Sequence, residues 1–424
     1  MSNGQAERQV RRRRVFYIPG YDPIHPRRYR ELYRKEGTEQ ARISGYEIGL
    51  VGRQGGASYG WQVSGRMEGA TSEAEFDVLV WSDIVRDSMD LNIAQTYLLM
   101  ARTAWTYIST GALRRLMRLR KGPLIAALYP VGMLILQALV ALLVGAIAAM
   151  LAMWLSDLIA RRIVDFDYLF GPFFVTRILL SLLLGAAAAV LVLRYFRKID
   201  NRLFVYYLMH DYAYSARSRG ANPPALEARL AEFTEQIAAA LDEDVDEVLI
   251  VGHSSGAHLA ISILADLDRA GRLAVARPAL GLVTLGQVVP MVSFLPDAKR
   301  LRRDLHDLST SPHLFWLDVT APGDGCAFAL CDPVAVSGVA PEGKRWPIVI
   351  SAAFTQTLSP KRWAELRWRF FRLHFQYLCA FDRPGDYDYF RITAGPRTLA
   401  DRFEGRPPSK SRIDAAVSKY TDMA

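Results

Sequence analysis

Cysteine is almost missing from this 424-residue chain, in which Cys326, Cys331 and Cys379 are the whole set. An odd trio without paired metal-ligand spacing argues against a disulfide framework and predicts no zinc site, which fits a reducing compartment. No secretory leader is expected either. The N-terminus is basic, but only Val15 to Ile18 follow before Pro19 and Gly20, far short of the apolar core a leader needs. The expected start is therefore cytoplasmic and retained. No zinc finger, glycine-rich RNA-binding signature, internal repeat or low-complexity tract accompanies the formal charge of +9. Arg8 and Arg11 to Arg14 form one N-terminal cluster, and much of the remaining basic excess flanks apolar segments. The expected partner is an anionic membrane surface and not nucleic acid.

Charge itself is absent from one long stretch and nearly so from another. Leu124 to Leu155 is 32 residues without a charge, and Phe173 to Leu193 carries only Arg177. A helix rises about 1.5 Å per residue, so about 20 apolar residues cross the hydrocarbon of a bilayer. Two transmembrane helices are expected, over about 124–155 and 173–193, because a globular core rarely receives so long an uncharged helix. Arg114, Arg115, Arg118, Arg120 and Lys121 precede the first, and Arg194, Arg197, Lys198 and Arg202 follow the second. The connector holds only Arg161 and Arg162, beside Asp157, Asp165 and Asp167. This bias predicts an integral protein of an inner or plasma membrane with both termini cytoplasmic and the lipid bilayer as partner. The connector is too small for a domain, so the chemistry belongs on the side of the termini.

One stretch is dense with chemistry. Asp246 to Ile263 reads DEVLIVGHSSGAHLAISI: apolar Val248 to Val251 run into Gly252, His253, Ser254, Ser255 and Gly256, and an alanine-rich helical pattern starts at once. Strand, sharp turn and helix around G-x-S-x-G make a nucleophile elbow. Its turn lifts one serine hydroxyl clear of the sheet edge, pushes that serine toward φ > 0 and needs small residues two places either side. Here these are Gly252 and Gly256. A glycine-rich turn that binds phosphate, or nothing, has the same local pattern.

With strand and helix both present, the chain resembles the serine hydrolases of the α/β-hydrolase fold, the lipase and esterase superfamily. The resemblance implies an α/β architecture, with a mostly parallel sheet flanked by helices, and Ser254 as nucleophile. It also implies an oxyanion hole made by two backbone N–H groups, one on the residue after the nucleophile and one on a loop after an early strand. The matching positions are Ser255 and Tyr21, the latter in Pro19-Gly20-Tyr21-Asp22-Pro23 behind the strand Val15 to Ile18. Neither cofactor nor metal is expected.

The rest of the chain reads as alternating elements. Residues 26–44, with Tyr29, Leu32 and Tyr33 on one side, predict a surface helix. Tyr46 to Gly52 and Tyr59 to Met67 predict an antiparallel hairpin turning through Gly55 and Gly56, and Phe76 to Trp81 a buried strand followed by capping Ser82 and Asp83. Leu280 to Leu285, Leu314 to Val319 and Ile348 to Phe354 are further strands, and charged Lys299 to Asp307 is a solvated helix. The expected organisation is a basic arm (1–14), a first hydrolase part (15–112), a transmembrane hairpin (113–202), a second hydrolase part with the elbow (203–404) and a mobile polar tail (405–424).

A serine needs a base to take its proton and a carboxylate to orient that base. The resemblance implies the chain order serine, acid, histidine. Asp324 lies in the turn-rich stretch Thr320 to Gly325 just past a strand, with Asp318 and Asp332 as rivals; of the seven histidines only His374 follows them all. His374 falls beside an apolar helical stripe of Trp363, Leu366, Phe370 and Tyr377, where a core histidine would look the same. Trp368 and Arg367, Arg369 and Arg372 on that helix suit a lipid headgroup layer, though packing against the sheet is the expected use. His253 and His258 need no catalytic role. The reading that follows is a membrane-anchored serine hydrolase of a small or lipid ester, working through an acyl-enzyme on Ser254. The other class left open is a non-catalytic membrane protein that keeps the domain as an interaction platform.

Overall fold

A computed structural model describes residues 9–53, 58–163 and 172–424. Eight strands form one sheet, ordered β2-β3-β4-β1-β5-β6-β7-β8. They are β1 (Arg12–Ile18), β2 (Glu47–Gly52), β3 (Tyr59–Met67), β4 (Ala70–Val78), β5 (Glu247–His253), β6 (Ala279–Leu285), β7 (Phe315–Thr320) and β8 (Ile348–Ser351). Only β3 runs against its neighbours; β4, β1 and β5 to β8 are mutually parallel. All seven residues of β5 are buried, as a parallel strand covered on both faces requires. The architecture is thus α/β with a mostly parallel sheet, and the strand carrying the elbow runs near its middle.

Alternation along the strands divides two faces. Val15, Tyr17, Leu249, Val251, Val283, Leu285, Leu317 and Val319 join one core with Tyr29 and Tyr33 of the helix Arg27–Ser44 and with Tyr377, Tyr389 and Phe390 from the C-terminal region. The opposite face is packed by the elbow helix Gly256–Arg269 and its neighbour Pro224–Leu241. The glycine-bearing turn between β2 and β3, at 54–57, lies outside the described residues. Glu68 and Gly69, both at positive φ (56° and 76°), close a two-residue hairpin between β3 and β4. That hairpin starts the strand expected at Phe76 earlier, at Ala70, and ends it at Val78.

Three expectations change. Arg12 to Arg14 belong to β1, not to a free basic arm. Opposite Glu247 in the register, Arg13 is buried and pairs with it at 2.5 Å, while Arg14 pairs with Glu75 and Asp77; Arg8 lies outside the described residues. Much of the N-terminal cluster is therefore neutralised inside the fold. The charged helix Lys299–Leu308 is not wholly solvated either: Arg302 and Asp304 are fully buried, Arg302 donating to the carbonyls of Ser293, Leu295 and Pro296. Nor is the tail loose. Ile413 exchanges backbone bonds with Leu330 and Asp332, Val417 N–H donates to Val336 O, and the Asp422 carboxylate accepts from Arg302 at 3.0 Å.

The chain divides into two compact units, one of Met1–Ser88, Trp105–Ala126 and Tyr214–Ala424, the other of Met89–Ala104 and Ala127–Ala213. The first contains the whole sheet. The second contains most of two helices, Lys121–Ile163 and Pro172–Lys198, that are long and apolar enough to cross a membrane. They meet at glycines: a Cβ on Gly145 would stand 2.7 Å from Gly185 O, and one on Gly185 would stand 2.6 Å from Gly145 O. Arg177 is buried and ion-paired with Asp157, which answers the one charge within the apolar stretch 173–193. Residues 164–171 of the connector, including Asp165 and Asp167, lie outside the described residues. This unit also takes in 89–104 and 203–213, beyond the expected limits 113–202.

Candidate active site

Ser254 follows β5 directly and has φ 56°, the left-handed conformation that the elbow demands. Two backbone bonds hold it there: its N–H donates to Leu285 O (2.9 Å), and its carbonyl accepts from Ala257 N–H (3.1 Å). The flanking glycines are sterically required. A Cβ on Gly252 would lie 2.7 Å from Gly256 O, and one on Gly256 would lie 2.7 Å from Pro19 O and closer still to Ile18 O. Gly20 is a third such position, where a Cβ would come within 2.9 Å of Ser254 Cβ. The loop after β1 therefore presses on the serine at Gly20, and Tyr21 is the next residue of that loop. Ser255 is the N-cap of the elbow helix, so its N–H lies ahead of the first intrahelical bond.

Of the three carboxylates the sequence offers, one meets the histidine. His374 Nδ1 lies 2.7 Å from Asp324 Oδ2, and both residues are buried. Asp318 sits inside β7 and accepts from the Thr284 hydroxyl across the sheet at 2.6 Å; burial pushes its carboxyl up to about 8. Asp332 caps the short helix Pro333–Val336 and pairs with Lys344 at 2.6 Å. Burial alone would raise the Asp324 carboxyl, but the His374 charge and hydrogen bonds from His374, the Cys326 N–H and the Tyr377 hydroxyl hold it below its usual range. An ionised carboxylate only accepts, so Nδ1 carries the proton and Nε2 the lone pair in the neutral ring.

His374 does not lie within a long helix. The expected helix breaks after Pro360–Leu366, leaves helical geometry at Arg369 (ψ 67°), and resumes as five residues, Phe370–His374, followed by a 3₁₀ turn, Phe375–Leu378. The imidazole therefore stands at a helix end above the sheet. Gly286, at φ 54° just past β6, makes room for it: a Cβ there would meet Tyr377 Cε2 at 2.7 Å and His374 Cε1 at 3.0 Å. Since Ser254 N–H binds Leu285 O, one strand end seats both the serine backbone and the imidazole. His374 Nε2 is buried without a hydrogen-bond partner, so its bond to the Ser254 hydroxyl is not formed in this structure. An open serine–histidine bond is common in an empty site.

Two contributors were not assigned from sequence. Tyr377, one turn after His374, donates its hydroxyl to Asp324 Oδ2 (3.0 Å) and accepts from Ala321 N–H (2.9 Å), tying acid, loop and histidine helix together. The H-x-x-Y spacing was the available signal. His253 turns its Nε2 to His374 O at 3.1 Å with ring centroids 4.9 Å apart. Burial and then the neighbouring His374 charge lower it to about 3, so the ring is neutral and donates that bond. His258 is likewise lowered by burial, to about 4, and is buried in the elbow helix.

Asp324, Cys326 and His374 also place one potential metal-ligand atom each within 4.8 Å of the others. Two ligands about 2.0–2.2 Å from a tetrahedral zinc stand roughly 3.3 Å apart. The 2.7 Å separation of Nδ1 and Oδ2 is that of a hydrogen bond, and the donor set fits an acid–base dyad better than a metal. In comparisons with known proteins the chain matches no family model, no curated protein and no solved structure.

Proposed function

We propose that the protein is a membrane-anchored serine hydrolase that cleaves an ester, plausible substrates being acyl or lipid esters, through an acyl-enzyme on Ser254. The carrying observation is the buried Asp324–His374 pair, with a partnerless Nε2, at the strand end that also holds Ser254 at φ 56°. In this reading Nε2 takes the hydroxyl proton as Oγ attacks the ester carbonyl, and Asp324 stabilises the imidazolium that forms. The N–H groups of Ser255 and Tyr21 receive the developing oxyanion. His374 then gives its proton to the departing alkoxide, and a water attacks the acyl-enzyme by the reverse sequence. The reaction uses no cofactor. The helices Lys121–Ile163 and Pro172–Lys198 are read as spans because their large side chains, Leu139, Leu142, Leu183 and Leu191 among them, are exposed along their length.

The test is hydrolysis of a soluble p-nitrophenyl ester by the purified full chain. Asp324→Asn should lower kcat by about 10³–10⁴ with KM little changed, since it costs the correct tautomer. Ser254→Ala, His374→Ala and their double variant should lose nearly the same activity, because the members of a triad act as a unit. Multiplicative losses would reject the unit.

A further inference from the structure

Leu366 to Arg372 reads LRWRFFR, seven residues with three arginines and no acid. Trp363 just before it and Phe370 within it clamp the loop that carries the acid. A Cβ on Gly323 would meet Trp363 Cη2 at 2.6 Å, and one on Gly325 would meet Phe370 Cδ1 at 3.1 Å. Between these anchors Trp368 is 73% exposed, with the Arg367 guanidinium over its ring at 5.6 Å, and the anchor Phe370 is itself 42% exposed. Arg367, Arg369 and Arg372 are exposed as well. Packing against the sheet, expected for this segment, holds for Trp363 and not for Trp368.

The same loop is touched by the start of the first apolar helix. A Cβ on Gly122 would lie 3.3 Å from Gly325 Cα, and Arg120 Nε donates to Ala329 O at 2.8 Å. Both contacts fall within the unit that holds Asp324. The uncharged run begins at Leu124, two residues on and about 3 Å along the helix axis from Gly122. Met117, half exposed, stands beside exposed Arg114 and Arg118 on the approach to that helix.

We infer that Leu366 to Arg372 is a membrane-contact surface, lying in the anionic headgroup layer of the leaflet that the first apolar helix enters and opening the Ser254 site to an ester carried in that bilayer. The occupant follows from chemistry. Exposed tryptophan and phenylalanine partition to the headgroup level, arginine answers anionic phosphate, and the helix entry fixes the height of the neighbouring loop. The inference deepens the hydrolase reading and rests on it for the substrate, but the membrane contact can be measured without catalysis.

The full chain is placed in nanodiscs of phosphatidylcholine with or without phosphatidylglycerol, containing lipids brominated near the carbonyl end of their chains. The Trp368 contribution to emission is the difference between wild type and Trp368→Phe. It should be quenched by the brominated lipids, more so with phosphatidylglycerol. With a long-chain p-nitrophenyl ester dissolved in the disc, Trp368→Glu and Arg369→Glu together should raise the apparent KM at least about tenfold. Hydrolysis of soluble p-nitrophenyl acetate should stay within about twofold of wild type. Absence of quenching, including a Trp368 shielded by a protein partner, overturns the contact surface; equal losses on both esters overturn its role in substrate access. A wild-type chain inactive on both esters would sink the hydrolase reading, and quenching would still decide the contact.

Discussion

Asp318 and Asp324 flank the end of β7, and their surroundings act on them in opposite directions. Asp324 is ionised because a histidine, a tyrosine and a backbone N–H converge on it; its contribution to stability is present above the ordinary carboxylate range and is lost as pH falls through its lowered value. Asp318 has one hydroxyl partner, an unpartnered second oxygen, and a carboxyl raised by burial to about 8. Its proton is held in the folded chain and released near pH 4, the ordinary aspartate value being about 3.9, when unfolded. The folded state thus binds more protons across the window up to about 8, and stability falls as pH rises through it. Asp318→Asn, isosteric and uncharged, should lessen that fall. The measurement is the melting temperature of the detergent-solubilised protein from acid to pH 8, and an undiminished decline in the variant would contradict the assignment. Sequence alone ranked Asp324 above its rivals by turn chemistry, since all three carboxylates fall between Ser254 and His374. What it did not carry was the cross-strand pairing of Thr284 with Asp318, a contact made only once β6 and β7 lie side by side.

Elements whose signals are local were legible. The strand–turn–helix around Ser254 follows from adjacent residues, and Gly252 and Gly256 meet the atoms that the elbow geometry requires them to meet. The strand cores were legible for the same reason, since β5, β6 and β7 are short apolar runs bounded by turn residues. The helix break before His374 was not, because the apolar stripe continues through Arg367 to Arg369 while the backbone leaves the helix. The tail was misread as mobile because its partners, Leu330, Val336 and Arg302, are distant in sequence. In the two apolar helices the close approach at Gly145 and Gly185, with Ala149 and Ala189 beside them, leaves no space for a side chain. Gly185→Ile should separate the helices and lower thermal stability in detergent by several degrees, whereas Gly132→Ala, where a Cβ meets nothing, should not. Equal melting of both variants would place the helix contact elsewhere.

Across the whole molecule, basic residues gather before the first apolar helix and after the second, while Arg13 and Arg14 of the N-terminal cluster are spent on ion pairs in the sheet. The positive-inside bias predicts both termini on the cytoplasmic side. A single cysteine introduced at position 165, in a background where Cys326 and Cys379, the two native thiols that are not buried, are replaced, should react with an impermeant maleimide added outside intact cells. One introduced at Ala424 should react only after the membrane is opened, and the reverse pattern would reject the orientation. The central claim is that Ser254 is an activated nucleophile, and it is most directly tested by the intact mass of the purified full chain after exposure to a fluorophosphonate. One phosphonyl adduct, located by peptide mapping on Ser254, slowed in His374→Ala and absent in Ser254→Ala, is the predicted result. An unmodified wild-type chain, or an adduct that persists in Ser254→Ala, would contradict it.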